Sequence, residues 1–165
     1  MVTAFLTGLY FAILQFCYLI LLQINVSSAY LTYMLIVVAW MTGSIAGLWW
    51  KKMNPATGVV LGGLSYYAVL LLVVFLPFET LTLGLSALGV MFSGLWAGRF
   101  FVVYLPRFGG ADRLFFHENN GFLLGIVVFF VGFTIFGKHF LFLAPAVLAC
   151  LLLIGTAFST PRTTP

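Results

Sequence analysis

Apolar positions along this chain fall into six long blocks, each interrupted by a short cluster of polar or turn-forming residues. A bilayer core about 30 Å thick takes about 20 apolar residues per helix, and each block has roughly that length. Hydropathy therefore predicts spanning helices at about 4–24, 29–50, 57–77, 80–105, 121–137 and 139–158. The breaks have chemical causes. Asn25-Val26-Ser27-Ser28 is a short polar turn, and Lys51-Lys52-Met53-Asn54-Pro55 joins charge to a proline. Pro77-Phe78-Glu79 and Gly137-Lys138-His139 read as tight reversals. Arg107 to Asn120 reads as the one long connection, and 159–165 as a polar C-terminal tail. The fold class is all-α: a polytopic integral membrane protein, one six-helix domain over 1–158 followed by that tail.

Composition leaves no room for a soluble domain. Of the 165 residues 64% are hydrophobic and only 6% charged, where an ordinary soluble domain carries about 25% charged residues. The first block has no Lys or Arg ahead of it and no clear small-residue cleavage site after it, so it reads as a retained helix rather than a removed signal. Cys17 and Cys150 lie inside apolar blocks, where a thiol behaves as a small apolar side chain.

Charge sets the orientation. With the N-terminus inside, the cytoplasmic set is Lys51, Lys52, Arg99, Arg107, Arg113 and Arg162, against Lys138 alone outside. Lys and Arg are retained on the cytoplasmic side, so both termini are expected to be cytoplasmic in a multi-pass protein of the bacterial inner membrane. The net charge of +4 follows from orientation, and no nucleic-acid partner is implied. Asn25-Val26-Ser27 matches the glycosylation pattern but lies close against the membrane.

Close helix contacts are expected at four Gly-x-x-x-Gly pairs: Gly43 with Gly47, Gly58 with Gly62, Gly94 with Gly98, and Gly121 with Gly125. Small residues let helix backbones approach in lipid. The pairs suit packing within one bundle, or a seam to a second copy or another subunit.

Ionisable groups within the spans are scarce. Arg99 lies six residues before Leu105, where it either snorkels to the headgroups or pairs with Glu118. The stretch Asp112 to Gly121 reads as a helix start, with Asn119 or Asn120 as cap and Glu118 against the positive end of the dipole. Alternatively Glu118, His117 and the asparagines face a cytoplasmic cavity or a partner. His117 and His139 flank one predicted helix at opposite membrane faces, so one chain does not bring them to a single haem. No catalytic pattern, metal-ligand spacing or cofactor motif is present.

Two stretches resemble a known family. Met41-Thr42-Gly43-Ser44-Ile45-Ala46-Gly47-Leu48-Trp49-Trp50-Lys51-Lys52 resembles the small-residue second helix and basic loop of major-facilitator-like proteins. Glu118-Asn119-Asn120-Gly121-Phe122-Leu123-Leu124-Gly125, continuing through Gly132 to Gly137, is similar to the glycine-spaced helix in the membrane portion of bacterial spermidine synthase-like proteins. The resemblance implies six helices in two three-helix halves and a role beside a separately encoded partner. The soluble aminopropyltransferase-like domain of that family has no counterpart in these residues, and its activity is not carried over.

Three functions follow as expectations. The leading one is a non-enzymatic membrane subunit that anchors or organises a larger complex, docking other membrane subunits through Lys51, Lys52, Arg107, Arg113 and Glu118. It rests on spans that lack the buried charges and broken helices a transporter of polar solutes needs, and that lack cofactor ligands. The second is a small-solute transporter working as a homodimer, lined by Gln15, Gln23, Ser65, Tyr66, Tyr67 and Thr134. The third is a membrane anchor for a separate soluble enzyme.

Overall fold

The computed structural model describes residues 1–26 and 30–159. They form six helices: α1 (Val2–Asn25), α2 (Tyr30–Trp49), α3 (Pro55–Phe75), α4 (Thr80–Phe108), α5 (Ala111–Phe136) and α6 (Lys138–Ser159). Each is long and apolar enough to cross a membrane, which makes a multi-pass membrane protein. Ser27, and with it the glycosylation pattern, lies outside the described residues, as does Arg162.

The largest departure from the sequence reading is between α4 and α5. The expected long connection is helix on both sides of Gly109 and Gly110. Gly109 takes the left-handed conformation, φ 70°, that ends α4, and Arg113, Glu118, Asn119 and Asn120 all lie inside α5. Hydropathy marks where a helix is apolar, whereas the backbone stays helical for as long as its hydrogen bonds are cheapest made internally. Asn119 and Asn120 are therefore not caps, and the acidic residue in the first turn is Asp112 rather than Glu118. The α3 start is built locally: the Asn54 side chain accepts from the Thr57 amide at 2.8 Å, with Pro55 beginning the helix. At the other end of the bundle, the Phe78 amide donates to the Asn25 carbonyl at 2.9 Å and ties the α1 end to the α3–α4 turn.

Two parallel helix pairs form the frame. In the first, a side chain on Gly43 or Gly47 of α2 would strike the Met91 or Leu95 carbonyl of α4, and one on Gly94 or Gly98 of α4 would strike the Trp40 or Ser44 carbonyl of α2. In the second, Gly121 and Gly125 of α5 meet the Phe5 and Leu9 carbonyls of α1, and Gly8 of α1 meets the Glu118 carbonyl. The registers match. Moving α2 forward by 78 positions lays Trp40, Gly43, Ser44 and Gly47 on Glu118, Gly121, Phe122 and Gly125. Moving α1 forward by 86 lays Phe5, Gly8, Leu9 and Ala12 on Met91, Gly94, Leu95 and Gly98. The α1 and α2 registers are thus repeated in α4 and α5. Related helices lie three apart in the chain, so the two pairs run in opposite directions, as in an inverted repeat.

Gly58 and Gly62 on α3 do something different. They make room for aromatic side chains, the Trp96 ring and the Tyr10 hydroxyl, rather than for a backbone. Tyrosines then stitch α3 and α6 to the frame. Tyr10 donates to the Val59 carbonyl at 2.9 Å, Tyr66 to Leu141 at 3.0 Å and Tyr67 to Phe142 at 2.7 Å. Tyr18 donates to Ser93 at 2.8 Å, and Ser93 donates to the Gly62 carbonyl at 3.1 Å. Hydrogen bonds of this kind contribute about 0.6 kcal/mol each within a bilayer, so they set register more than strength. Tyr66 is fully buried in this role.

Replacing Gly47 with Leu is expected to cost at least about 1–3 kcal/mol through overpacking against backbone, read as a lower thermal midpoint in detergent. Ala at Gly84, where a side chain meets nothing, is expected to leave the midpoint unchanged or raise it.

Candidate functional site

Where the two glycine-packed pairs face each other, they leave a groove. Its lining includes Phe11 and Gln15 of α1, Trp40, Ser44 and Leu48 of α2, Phe101 of α4, and Glu118 and Phe122 of α5, around a volume of about 340 Å³. A second hollow of about 250 Å³ continues from it, sharing Gln15 and Phe122 and running on past Phe16, Leu19, Tyr33, Ile36 and Val37. The groove sits on the repeat axis. Under the two shifts, Trp40 pairs with Glu118, Ser44 with Phe122, Phe11 with Ala97 and Gln15 with Phe101, and all eight line the same wall.

Symmetry is broken at the chemically decisive position. Where α2 carries Trp40, α5 carries Glu118, a residue only 7% exposed whose carboxyl has no hydrogen bond or ion pair among the described residues and keeps its oxygens accessible from the groove. It stands seven residues into α5, about 10 Å from the helix start at 1.5 Å per residue. An isolated carboxylate in such surroundings is costly, and ionisable side chains at this depth usually face a cavity. Gln15 also borders the hollow with its amide unpaired among the described residues. Ser44 is already engaged, donating to the Trp40 carbonyl at 3.0 Å and lying 3.3 Å from that of Gly94.

Arg99 does not neutralise Glu118, and it is not a free snorkelling chain. Its Nη2 donates to the Lys51 carbonyl at 2.8 Å and its Nε to the Met53 carbonyl at 3.3 Å, which pins the α2–α3 loop against α4. This loop has a basic outer rim, Lys51 and Lys52, both exposed. Arg107 and Arg113 line a neighbouring cleft with Met1, Thr3, Tyr104 and Phe108, and the Arg107 guanidinium lies 5.2 Å over the Tyr104 ring. Lys51, Lys52, Arg99, Arg107 and Arg113 thus share one end of the bundle, and Lys138 begins α6 at the other. Asn119 and Asn120 are exposed on α5 near the basic end, and the Asn120 side chain donates back to the Phe116 carbonyl at 2.6 Å. His117 lies beside the Phe108 and Phe116 rings, while His139 borders a lateral apolar cleft between α1, α5 and α6.

Among the other expected lining residues, Thr134 is exposed and bonds to its own helix, and Tyr67 is bonded to α6. Gln15 alone of that set borders the groove. The pairing of Trp40 with Glu118 was readable in the glycine spacing of α2 and α5, but only once α1 and α4 were placed between them. No family model, curated protein sequence or solved structure matches the chain.

Arg99→Met removes two charge-assisted hydrogen bonds to the loop, each contributing about 1.5–3 kcal/mol. Faster tryptic cleavage after Lys51 or Lys52, with the six-helix fold retained by circular dichroism, is the expected outcome; unchanged cleavage would show that the loop is held by other contacts.

Proposed function

We propose that this chain is a solute-binding, transporter-type membrane unit rather than an inert anchoring subunit. One observation carries the reading: an unpartnered carboxyl, that of the largely buried Glu118, lining a groove between two inverted pairs of helices. Secondary transporters place their substrate and ion sites at such repeat interfaces, near the middle of the bilayer. The subunit reading rests on spans without buried charge, broken helices or cofactor ligands, and Glu118 weighs against the first of these.

The resemblance to major-facilitator-like proteins is part of the same proposal. Each six-helix half of those transporters contains nested three-helix inverted repeats, and the matched registers of α1 with α4 and of α2 with α5 support it. The unit works as a pair. Met41, Ile45 and Leu48 line the groove and are 55%, 59% and 45% exposed, so the groove opens sideways, and a second copy over this opening encloses Glu118 between two bundles. Both termini and the basic rim face the cytoplasm of a bacterial inner membrane, where Lys51, Lys52, Arg107 and Arg113 also meet anionic headgroups.

Purified in mild detergent, the protein is expected to have a native mass twice that of the 18.2 kDa chain, and Ile45→Cys is expected to cross-link between copies in the native membrane. Stoichiometric recovery with unrelated subunits would return the weight to the complex-subunit reading. Cysteine labelling checks the orientation: a Cys at Lys52 should resist membrane-impermeant reagent added to intact cells, and labelling there would reverse the topology.

A further inference from the structure

Resting on the transporter reading, the groove also indicates what it holds: we propose that it binds a single-chain amphiphilic amine, with one positive head at Glu118 and its apolar chain along the hollow toward Tyr33.

The head follows from charge and geometry. Glu118 is the one acidic side chain in the wall, it is unpartnered, and Arg99 is committed to the loop carbonyls of Lys51 and Met53. An ammonium group would bring the opposite charge and hydrogen-bond donors together, both of which a buried carboxylate lacks here. Rings stand around it: Phe11, Trp40, Phe101 and Phe122 line the same wall, and aromatic faces attract ammonium ions, most strongly when desolvated. The free Gln15 amide adds an acceptor and donors at the junction of the two hollows. An anionic or neutral polar head would leave the carboxylate uncompensated.

The chain follows from the shape. Beyond Gln15 the wall is Phe16, Leu19, Ile36, Val37 and Phe122, ending at Tyr33, a passage with no further charge. A polyamine needs a carboxylate for each of its cationic centres, and one carboxylate is present. A single ammonium followed by a hydrocarbon chain matches both halves of the groove. The two volumes, about 340 and 250 Å³, are together in the range of small-ligand pockets.

The test uses the full chain in nanodiscs of zwitterionic lipid and a twelve-carbon primary amine carrying a photoreactive diazirine. After irradiation, peptide mapping should place adducts on segments containing Phe11 to Phe16 and Glu118 to Phe122. The yield should be at least tenfold above that of the alcohol of equal chain length. Glu118→Gln should reduce the amine to the level of the alcohol without changing the alcohol. Gln15→Phe, which narrows the junction while keeping the carboxyl, should reduce both and serves if Glu118→Gln does not fold. Excess spermidine should not compete. Equal labelling by amine and alcohol, unchanged labelling of Glu118→Gln, or adducts confined to the outer helix faces would overturn the proposal. The transporter reading fails separately: site-directed labelling that persists in a protein that runs as a monomer and moves no amine across vesicles leaves the amine site standing and removes transport.

Discussion

The structure depends on backbone-to-backbone contact between parallel helices. Lipid gives apolar side chains no reason to prefer one another over hydrocarbon tails, so helices associate where they fit most closely. Here that fit is reached twice, α2 on α4 and α1 on α5, at glycines whose missing side chains admit the neighbouring carbonyls. Everything else hangs from these pairs. α3 is seated by Trp96 against Gly58 and by the Tyr10 hydroxyl, and α6 is tied back through Tyr66 and Tyr67.

Using the same contact twice, in opposite directions, places an axis between the pairs and leaves the groove on it. Related positions face each other across that axis, so a difference between them creates a polar feature that no partner in the fold resolves. Trp40 at the position related to Glu118 is such a difference, both lining the groove. The carboxyl is held at depth because Gly8 lies against the Glu118 carbonyl, which fixes the α5 backbone at that residue against α1. The fold therefore maintains the costly group through one of its close backbone contacts.

Much of this was legible in the residues. Six apolar blocks and the turn chemistry of Asn54-Pro55 and Gly137 announce six helices, and the one-sided distribution of Lys51, Lys52, Arg107 and Arg113 announces a polar end. The polar run from Asp112 to Asn120 misled, because charge interrupts a hydropathy profile without interrupting a helix; α5 simply begins ten residues before Gly121. Glu118 was visible as a residue but not as a buried one. Its depth depends on which neighbours α1 and α4 bring to it, and long-range contacts of that kind leave no local period. Gly8 was missed for a related reason: its partner at the fourth position is Ala12, so the stripe on α1 lacks the second glycine that marks the others. Arg99 offered two positions by sequence and took a third, because the carbonyls of a loop 48 residues away were not predictable acceptors.

The most direct measurement of the central claim is carbodiimide labelling of the carboxyls in native membranes, followed by peptide mass mapping. The chain has three acidic residues, Glu79, Asp112 and Glu118. A membrane-permeant, hydrophobic carbodiimide should modify Glu118 in preference to the other two, while a water-soluble one should reach Glu79 and Asp112 and spare it. Modification of Glu118 by the water-soluble reagent at the same rate as Asp112 would place it on a wet surface and contradict a buried, unpartnered carboxyl on the repeat axis.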